Sequence, residues 1–345
     1  MKLCIIGLPG SGRATLFESL TRLGQDTASG KIEDRIGTIE VPDKRIAVLS
    51  GMYKPKKTIY TKIEYLLPYM AGHSKEKKEA EPAWSTVRTC DALIHVVRNF
   101  KGYGLEDPTP LKDFSRLNDE MIFNDLLAVE KRLERLERDA KRGTKVDPEE
   151  SQLLLECKKM LEDDQPLRRN PELSRAHVLR GFTFLSAKPM LVIFNNEDGD
   201  ESLPEAGGLL EQEECQVVRA RLEHELSQMA ADEASEFLAE FGIATSAMDR
   251  VIALSYELLG LISFFTVGED EVRAWTIRNG TVAVDAAEAI HSDIKKGFIR
   301  AEVVSYNDLI EAGSHKDAKK KGTVRLEGKT YVVQDGDIME FRFNV

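Results

Sequence analysis

A glycine-rich segment near the start of the chain has the composition of a phosphate-binding loop. Residues 7–14 are Gly-Leu-Pro-Gly-Ser-Gly-Arg-Ala, and their glycines match the spacing of the motif G-x-x-x-x-G-K-[ST]. Glycine lets backbone N–H groups curve around phosphate oxygens, and the N-terminus of a following helix adds a favourable dipole. The pattern predicts binding of a nucleotide phosphate, with these candidate contacts: Gly7, Pro9, Gly10, Ser11, Gly12, Arg13, Ala14 and Thr15.

Two positions of this motif carry residues that weaken the expected chemistry. The motif normally ends in a lysine that reaches the terminal phosphates and a hydroxyl that binds Mg²⁺, whereas this chain has Arg13 and Ala14. A guanidinium keeps the positive charge but is bulkier than an ammonium, and a methyl group cannot bind a metal. Thr15 supplies the next hydroxyl, but it lies about 100° further around the helix. The residues therefore allow two interpretations, a nucleotide site of reduced capacity or a strand–helix turn that no longer binds phosphate.

The elements around this loop indicate a parallel α/β domain. Short continuous apolar runs are typical of strands buried on both faces, and three of them occur in the chain: Leu3–Ile6, Leu93–Val97 and Met190–Phe194. Apolar residues at helical spacing follow the loop, at Leu16, Leu20 and Leu23. Strands that alternate with helices predict a mainly parallel sheet, so we expect a P-loop domain made of residues 1–115 and 182–261.

The segment between the second and third strands has a different pattern, which predicts an antiparallel helical hairpin over residues 116–181. Apolar residues recur at spacings of three and four on both arms: Ile122, Leu126, Val129, Leu133, Leu136, then Leu154, Cys157 and Leu161. Gly143 separates the arms, and Asp147-Pro148 has the sequence of an N-cap followed by a first helical residue. Such a hairpin serves either as a solvated structural arm or as a docking arm for a partner.

The last 84 residues, 262–345, have the pattern of a small α+β domain. A strand that alternates in polarity, Val272–Ile277, leads through a turn into a short helix over Asp285–His291. Three more strands are predicted at Val324–Leu326, Tyr331–Val333 and Ile338–Phe343, separated by glycine-containing turns.

The overall composition excludes several classes of protein. Of the 345 residues, 42% are hydrophobic and 31% are charged, and the formal net charge is −11, which is typical of a globular protein and disfavours nucleic-acid binding over the whole surface. No run of about 18 apolar residues or signal peptide is recognisable, so we expect a cytoplasmic protein without a membrane span. Four widely spaced cysteines without a C-x-x-C pair argue against a zinc site or a disulfide framework.

The sequence resembles the YchF / Obg-like ATPase family of translation-associated P-loop proteins over nearly its whole length. The most specific matches lie in the tail, at Phe265–Gly268, Glu271–Ile277, Lys296–Ala301 and Asp335–Val345, and others are Asn195–Gly199 and Leu93–Arg98. The resemblance implies a G domain, an inserted hairpin and a C-terminal TGS-like (ubiquitin-like) domain. It also implies GTP or ATP as a cofactor, with Asn195, Asn196 and Glu197 at the base.

The same resemblance implies a partner, the ribosome or another RNA, or else a protein, bound through the hairpin and the TGS-like domain. Lysine runs can contact phosphate through charge alone. The candidate contacts in the tail are Lys295, Lys296, Arg300, Lys319, Lys320 and Lys321.

The departures from the family pattern all fall on the nucleotide site. Besides Arg13-Ala14, the switch segment has Lys31-Ile32-Glu33 where the family has Thr-Ile-Glu. The aspartate of the family's Asp-x-x-Gly motif aligns with Leu67 or Tyr69, and the base motif is one residue short, so that either Phe194 or Asn195 takes the place of its asparagine. Together these changes remove the protein groups that hold Mg²⁺.

We therefore predict a divergent family member that acts as a regulatory or scaffold protein on the ribosome or RNA. Nucleotide binding is expected to be weakened or lost, with Mg²⁺ unsupported and hydrolysis absent. The alternative is a slow but functional NTPase. A third hypothesis, a small-molecule phosphotransferase, rests on the likeness of Gly10–Thr15 to the Gly-Lys-Gly-Thr ending of nucleoside monophosphate kinases, but no arginine-rich lid follows.

Overall fold

The structure, a computed structural model, describes residues 1–23, 33–69, 81–102, 106–240 and 246–344. Their contacts divide the chain into two compact units. The first unit contains residues 1–37 and 64–251, and the second contains residues 38–63 and 252–345. The sequence pattern places residues 38–63 in the P-loop domain, whereas in the structure their contacts group them with residues 252–345.

The chain alternates strands and helices through most of its length. The strands are β1 (Lys2–Ile6), β2 (Arg35–Glu40), β3 (Lys57–Ile59), β4 (Lys62–Leu67), β5 (Ala92–Asn99), β6 (Met190–Asn196), β7 (Glu214–Val218), β8 (Leu261–Val267), β9 (Glu271–Arg278), β10 (Phe298–Ser305), β11 (Arg325–Glu327) and β12 (Asp337–Phe343). The α-helices are α1 (Arg13–Thr21), α2 (Lys44–Tyr53), α3 (Glu81–Arg88), α4 (Pro110–Lys141), α5 (Pro148–Glu162), α6 (Pro171–Arg175), α7 (Leu209–Gln212), α8 (Ala220–Gln228), α9 (Ala231–Glu240), α10 (Ala247–Leu258), α11 (Ala283–Ile290), α12 (Ser292–Lys296), α13 (Tyr306–Ala312) and α14 (His315–Lys321). Two 3₁₀ helices, Leu167–Arg169 and His177–Phe182, follow α5 and α6.

The P-loop lies at the carboxyl edge of a mainly parallel sheet. The strand order is β2-β4-β1-β5-β6-β7, and β1 pairs in parallel with both β4 and β5, as β6 does with β5 and β7. The three apolar runs predicted as buried strands form β1, β5 and β6, which confirms the parallel α/β interpretation. Ligands of such sheets bind at this edge, where the loop after β1 meets the ends of β5 and β6.

The insertion after β5 forms the predicted helical hairpin of α4 and α5. Six of its eight predicted seam residues are buried, and Leu126 and Leu133 are half-buried against them. Residues from the short turns after α5 extend the buried cluster, which contains Ile122, Val129, Leu136, Leu154, Cys157, Leu161, Leu167, Leu173, Leu179 and Phe184. Asp147 caps α5 by accepting a 3.0 Å hydrogen bond from the Glu149 N–H, and Gly143 between the arms has a φ of +76°. The sequence pattern therefore predicted both the seam and the cap.

The second unit is a six-stranded sheet of order β11-β10-β12-β8-β9-β3. Strands β8/β9, β10/β12 and β10/β11 pair antiparallel, while β12/β8 and β3/β9 pair in parallel. One face carries α11 through Ala283, Ala286 and Ala287, and the other carries α2 through Ile46 and Leu49. The prediction of a strand at Tyr331–Val333 was wrong, because Val332 forms only an isolated bridge with Val282.

Candidate nucleotide site

The glycine loop has a backbone that only glycine adopts without strain. Gly10 and Gly12 have φ values of +80° and +90°, in the left-handed region where a Cβ atom is disfavoured. The Ser11 N–H donates to the Leu8 carbonyl at 3.1 Å, and α1 begins immediately afterwards, with the Leu16 N–H donating to the Gly12 carbonyl at 2.9 Å. The loop is therefore followed directly by a helix N-terminus, as a phosphate site requires.

The side chain of Asn195 holds this loop against the start of α8. Its Nδ2 donates to the Ser11 carbonyl at 3.0 Å, and its Oδ1 accepts from the Ala220 N–H at 3.0 Å. A Cβ atom built on Gly12 would lie 2.2 Å from Asn195 Nδ2. Phe194, the other candidate for the motif asparagine, is fully buried in the apolar core. Asn195 is therefore the residue at the loop, and both ends of its amide bind the protein backbone.

A cavity of about 660 Å³ opens beside the loop, and its volume is typical of cofactor pockets. It is lined by Gly12, Thr15, Phe100, Lys101, Gly102, Asn195, Asn196, Glu197, Asp198, Gly199, Ala220 and Arg221. Lys101 and Arg221 were not among the predicted contacts, because they belong to no motif in the sequence. The glycine loop, residues 195–199 and the cavity are thus brought together at one edge of the sheet.

The three predicted base contacts differ in what they can offer a ligand. Asn196 is buried, accepts from Asn99 Nδ2 at 2.9 Å and donates to the Ser202 carbonyl at 2.8 Å. Glu197 is exposed, and its Oε1 accepts from the Lys101 N–H at 2.9 Å. Because a carboxylate has two acceptor oxygens, Glu197 retains acceptor capacity for a base amine, whereas both asparagines are used internally.

Arg13 is a partly buried cation beside the glycine loop. Its Nη1 atom is inaccessible to solvent and has no hydrogen-bond partner within the described part of the chain. Burial lowers the pKa of Arg13 from its ordinary value, because desolvation disfavours the charged form. A buried donor without an acceptor is costly, and a phosphate oxygen would supply the acceptor. These residues therefore fit a nucleotide phosphate.

The residues at the metal positions do not fit Mg²⁺, which requires oxygen ligands. Ala14 has no side-chain oxygen, and Leu67 is buried at the end of β4. The N–H of Tyr69 donates to Asp34 Oδ1 at 2.8 Å, and Thr86 Oγ1 donates to the other oxygen of Asp34. Lys31 and Ile32 lie outside the described residues. In the portions of the chain that the structure describes, no three histidine, cysteine or acidic side chains are grouped to hold a metal.

The lysines predicted to contact RNA pair with neighbouring carboxylates in the second unit. The pairs are Lys295 with Asp285 and Glu288, Lys296 with Asp293, Lys319 with Glu302, Lys320 with Asp317, and Lys321 with Glu311. Arg300 is exposed on β10, opposite Arg342 on β12. The lysine charge is therefore largely compensated locally, which reduces the phosphate attraction that the sequence alone suggests.

No helix in the described ranges is both long and apolar enough to cross a membrane.

Comparison with known proteins places this fold and site in a family. Residues 261–344 match the family model described as YchF-GTPase_C, protein of unknown function (DUF933). The "Ribosome-binding ATPase YchF" of Bacillus subtilis is 39% identical, over 99% of this chain and 98% of that protein, and the protein of the same name from Pasteurella multocida is 37% identical with the same coverage. The solved structure of the Schizosaccharomyces pombe YchF GTPase superimposes with a TM-score of 0.85 at 27% identity, covering 99% of this chain and 97% of that one. The chain therefore belongs to the YchF family, as the tail motifs and the glycine loop predicted.

Proposed function

We propose that this protein is a regulatory or scaffold member of the YchF family whose glycine loop binds a nucleotide weakly, without Mg²⁺, and hydrolyses it poorly or not at all. The observation that carries the proposal is the contrast between two adjacent residues. Arg13 presents a buried donor without an acceptor, which suits an anion. Ala14 cannot bind a metal, so the phosphates lose the ion that would neutralise charge developing during hydrolysis.

Equilibrium titration of the full chain tests this proposal. ATP, ADP, GTP and GDP are titrated by calorimetry with and without Mg²⁺, on the wild type, on Arg13→Ala and on the exposed control Arg138→Ala. A hydrogen bond to a charged group contributes about 1.5–3 kcal/mol, so Arg13→Ala should weaken binding roughly tenfold or more. The control should bind as the wild type does, and Mg²⁺ should leave the affinity unchanged. Affinity that rises at least tenfold with Mg²⁺ would contradict the proposal.

The association with ribosomes is proposed from the relatives, since both bacterial proteins compared above are named ribosome-binding. We place the contact on the hairpin and on the C-terminal TGS-like domain, which we take to be residues 262–345 completed by residues 38–63. Co-sedimentation with ribosomes tests it. Charge reversal at Lys131 and Arg138 on α4 is compared with reversal at Lys319 and Lys320 on α14. Because the α14 lysines are paired with acids, reversal on α4 should reduce binding more.

A slow NTPase is the second candidate, and one observation favours it. Thr15 directly follows Ala14 and lines the cavity beside the loop, so its hydroxyl is the candidate to replace that of the missing serine. If Thr15 supports a metal, Thr15→Val should abolish a Mg²⁺-dependent release of phosphate that the wild type shows. If the wild type shows no such release, and if replacing Arg13 and Ala14 by lysine and serine does not create it, the regulatory proposal stands.

A further inference from the structure

A second cavity lies on another side of the glycine loop, between the loop, β5 and the first turns of α4. Its volume is about 210 Å³, and its lining residues are Leu8, Pro9, Ser11, His95, Val96, Val97, Arg98, Asp113 and Arg116. None of them lines the larger cavity beside Gly12 and Thr15. The volume is below the roughly 300–1,000 Å³ of pockets that hold nucleotide-sized ligands. Any ligand here is therefore small.

Two buried polar side chains on this lining have atoms without a hydrogen-bond partner. Ser11 is 2% exposed and His95 is 1% exposed, and neither Ser11 Oγ nor His95 Nδ1 has a partner in the described ranges. A Cβ atom built on Gly7 would lie 2.5 Å from both Ser11 Oγ and the Val96 carbonyl, so the Ser11 side chain packs on the β5 side of the loop. Unpaired polar atoms at such depth are costly.

The charges around the cavity favour an anion. Arg98 donates to the carbonyls of Phe100 and Glu106 at 3.2 and 2.9 Å, and among the residues that the structure describes it pairs with no carboxylate. Arg116 is exposed on the lining of the cavity and forms no ion pair in the part of the chain described here. Asp113, the one acidic residue of the lining, accepts from Thr109 Oγ1 at 2.9 Å and keeps its negative charge. Two guanidinium groups and one carboxylate together leave the charged side chains of the lining net positive.

The imidazole of His95 contributes hydrogen bonding without charge. Complete burial, with a smaller contribution from the Arg168 guanidinium, lowers the pKa of His95 to about 3. The ring stacks on Phe114 at a centroid distance of 5.2 Å. It is therefore neutral at physiological pH and held in a fixed orientation.

We propose that this cavity is a binding site for a small oxyanion, either a carboxylate or inorganic phosphate, held by Arg116 together with Ser11 and His95. The site goes beyond the proposed nucleotide binding: Pro9 and Ser11, predicted as nucleotide contacts, line this cavity and not the larger one, and the two cavities share no lining residue. Since Leu8, Pro9 and Ser11 belong to the glycine loop, an anion here would also change the affinity of the loop for nucleotide, and a nucleotide would change the affinity for the anion by the same factor.

Calorimetric titration of the full chain with sodium phosphate and with sodium acetate, at constant ionic strength, tests the proposal. The titrations are run with no nucleotide and then with excess ADP. The expected result is saturable binding of at least one anion that ADP alters but does not abolish. Arg116→Ala should weaken it at least tenfold, whereas Lys112→Ala, an exposed cation one turn earlier on α4, should not.

His95→Phe provides a second test, because it keeps the stacked ring and removes both nitrogens. It too should weaken anion binding at least tenfold. If this variant fails to fold, Arg116→Ala still tests the proposal, because replacement of an exposed side chain should not prevent folding. A cavity that contains only water would show no saturable binding of either anion. Binding that Arg116→Ala leaves intact, or that ADP abolishes by direct competition, would place the anion elsewhere. Each of these results would overturn the proposal, whether or not nucleotide binds as proposed above.

Discussion

Arg45 and Asp335 are 290 residues apart in the sequence and are joined by two hydrogen bonds of 2.8 and 3.2 Å. The same guanidinium binds both carboxylate oxygens of Asp43, the N-cap of α2. These contacts raise the pKa of Arg45 although burial opposes them. Asp335 also accepts from the Ser263 N–H on β8 at 2.9 Å. One arginine–carboxylate pair therefore fixes α2 to the sheet of the second unit.

Residues 44–53 are expected to be an integral part of this unit, and replacement of Ile46 measures their contribution. Ile46 is fully buried, in one cluster with Phe265 and Ile338. Ile46→Ala should lower the free energy of unfolding by about 2–5 kcal/mol, measured by urea titration with Trp275 fluorescence in a Trp84→Phe background. Val48→Ala on the exposed side of α2 is the control, and it should stay within about 0.5 kcal/mol. Equal effects of the two would contradict the assignment.

The two left-handed glycines of the loop should tolerate alanine unequally. Both have a positive φ, so each substitution costs about 1–2 kcal/mol of backbone strain. At Gly10 no atom lies within 4 Å of a new Cβ, but at Gly12 the Cβ would meet Asn195 Nδ2. Gly12→Ala should therefore also displace the Asn195 amide and abolish nucleotide binding, whereas Gly10→Ala should only weaken it. Thermal unfolding and nucleotide titration of both variants check the order, and the reverse order would refute it.

Among the polar side chains at the base of the hairpin, Asp125 should contribute most to the free energy of unfolding. It is fully buried and accepts from the N–H groups of Leu185 and Ser186 at 3.0 and 2.7 Å, and from Arg88 at 3.2 Å. Asp125→Ala leaves the N–H groups of Leu185 and Ser186 without an acceptor, and it removes the carboxylate partner of Arg88, which still donates to two backbone carbonyls. The free energy of unfolding should therefore fall by about 3–5 kcal/mol. Asp119→Ala, an exposed carboxylate on the same helix, should have little effect. Urea titration compares them.

Acid should destabilise the protein through His95 at pH values where most carboxylates are still ionised. Its folded-state pKa is about 3, against about 6.5 in an unfolded chain. Between these values the unfolded state binds the proton and the folded state does not, so stability falls as pH falls below 6.5, by about 1.4 kcal/mol per pH unit. His95→Phe should remove about 2 kcal/mol of the stability difference between pH 7 and pH 5. An unchanged difference would show that His95 is not buried as a neutral ring.

The sequence predicted elements whose pattern is local and missed those that depend on distant partners. The apolar runs of β1, β5 and β6 and the seam of the hairpin need no knowledge of the rest of the chain. In contrast, β3 has three residues and pairs with β9, more than two hundred positions away, and nothing in its composition indicates that partner. An amphipathic helix such as α2 shows that it covers a core but not which core it covers.

Within the site, the burial of neighbouring side chains distinguishes two residues that the motif spacing alone does not. The choice between Phe194 and Asn195 could not be made from spacing alone, yet the period of a strand places one side chain in the core and the next on the loop. The pairing of the tail lysines was partly visible in advance. Lys296 follows Asp293 by three residues and Lys320 follows Asp317 by three, which is the spacing of neighbours on a helix surface.

The membership of residues 38–63 in the second unit also has a consequence for synthesis of the chain. These residues are made early, but the strands that they pack against begin only at residue 261. At roughly 5–20 residues per second, α2 and β3 emerge on the order of ten to forty seconds before β8 and β9 exist. For that interval the apolar side of α2 has no native partner. The nascent protein is thus exposed to aggregation, or to capture by a chaperone, at a stage when its first sheet is still incomplete.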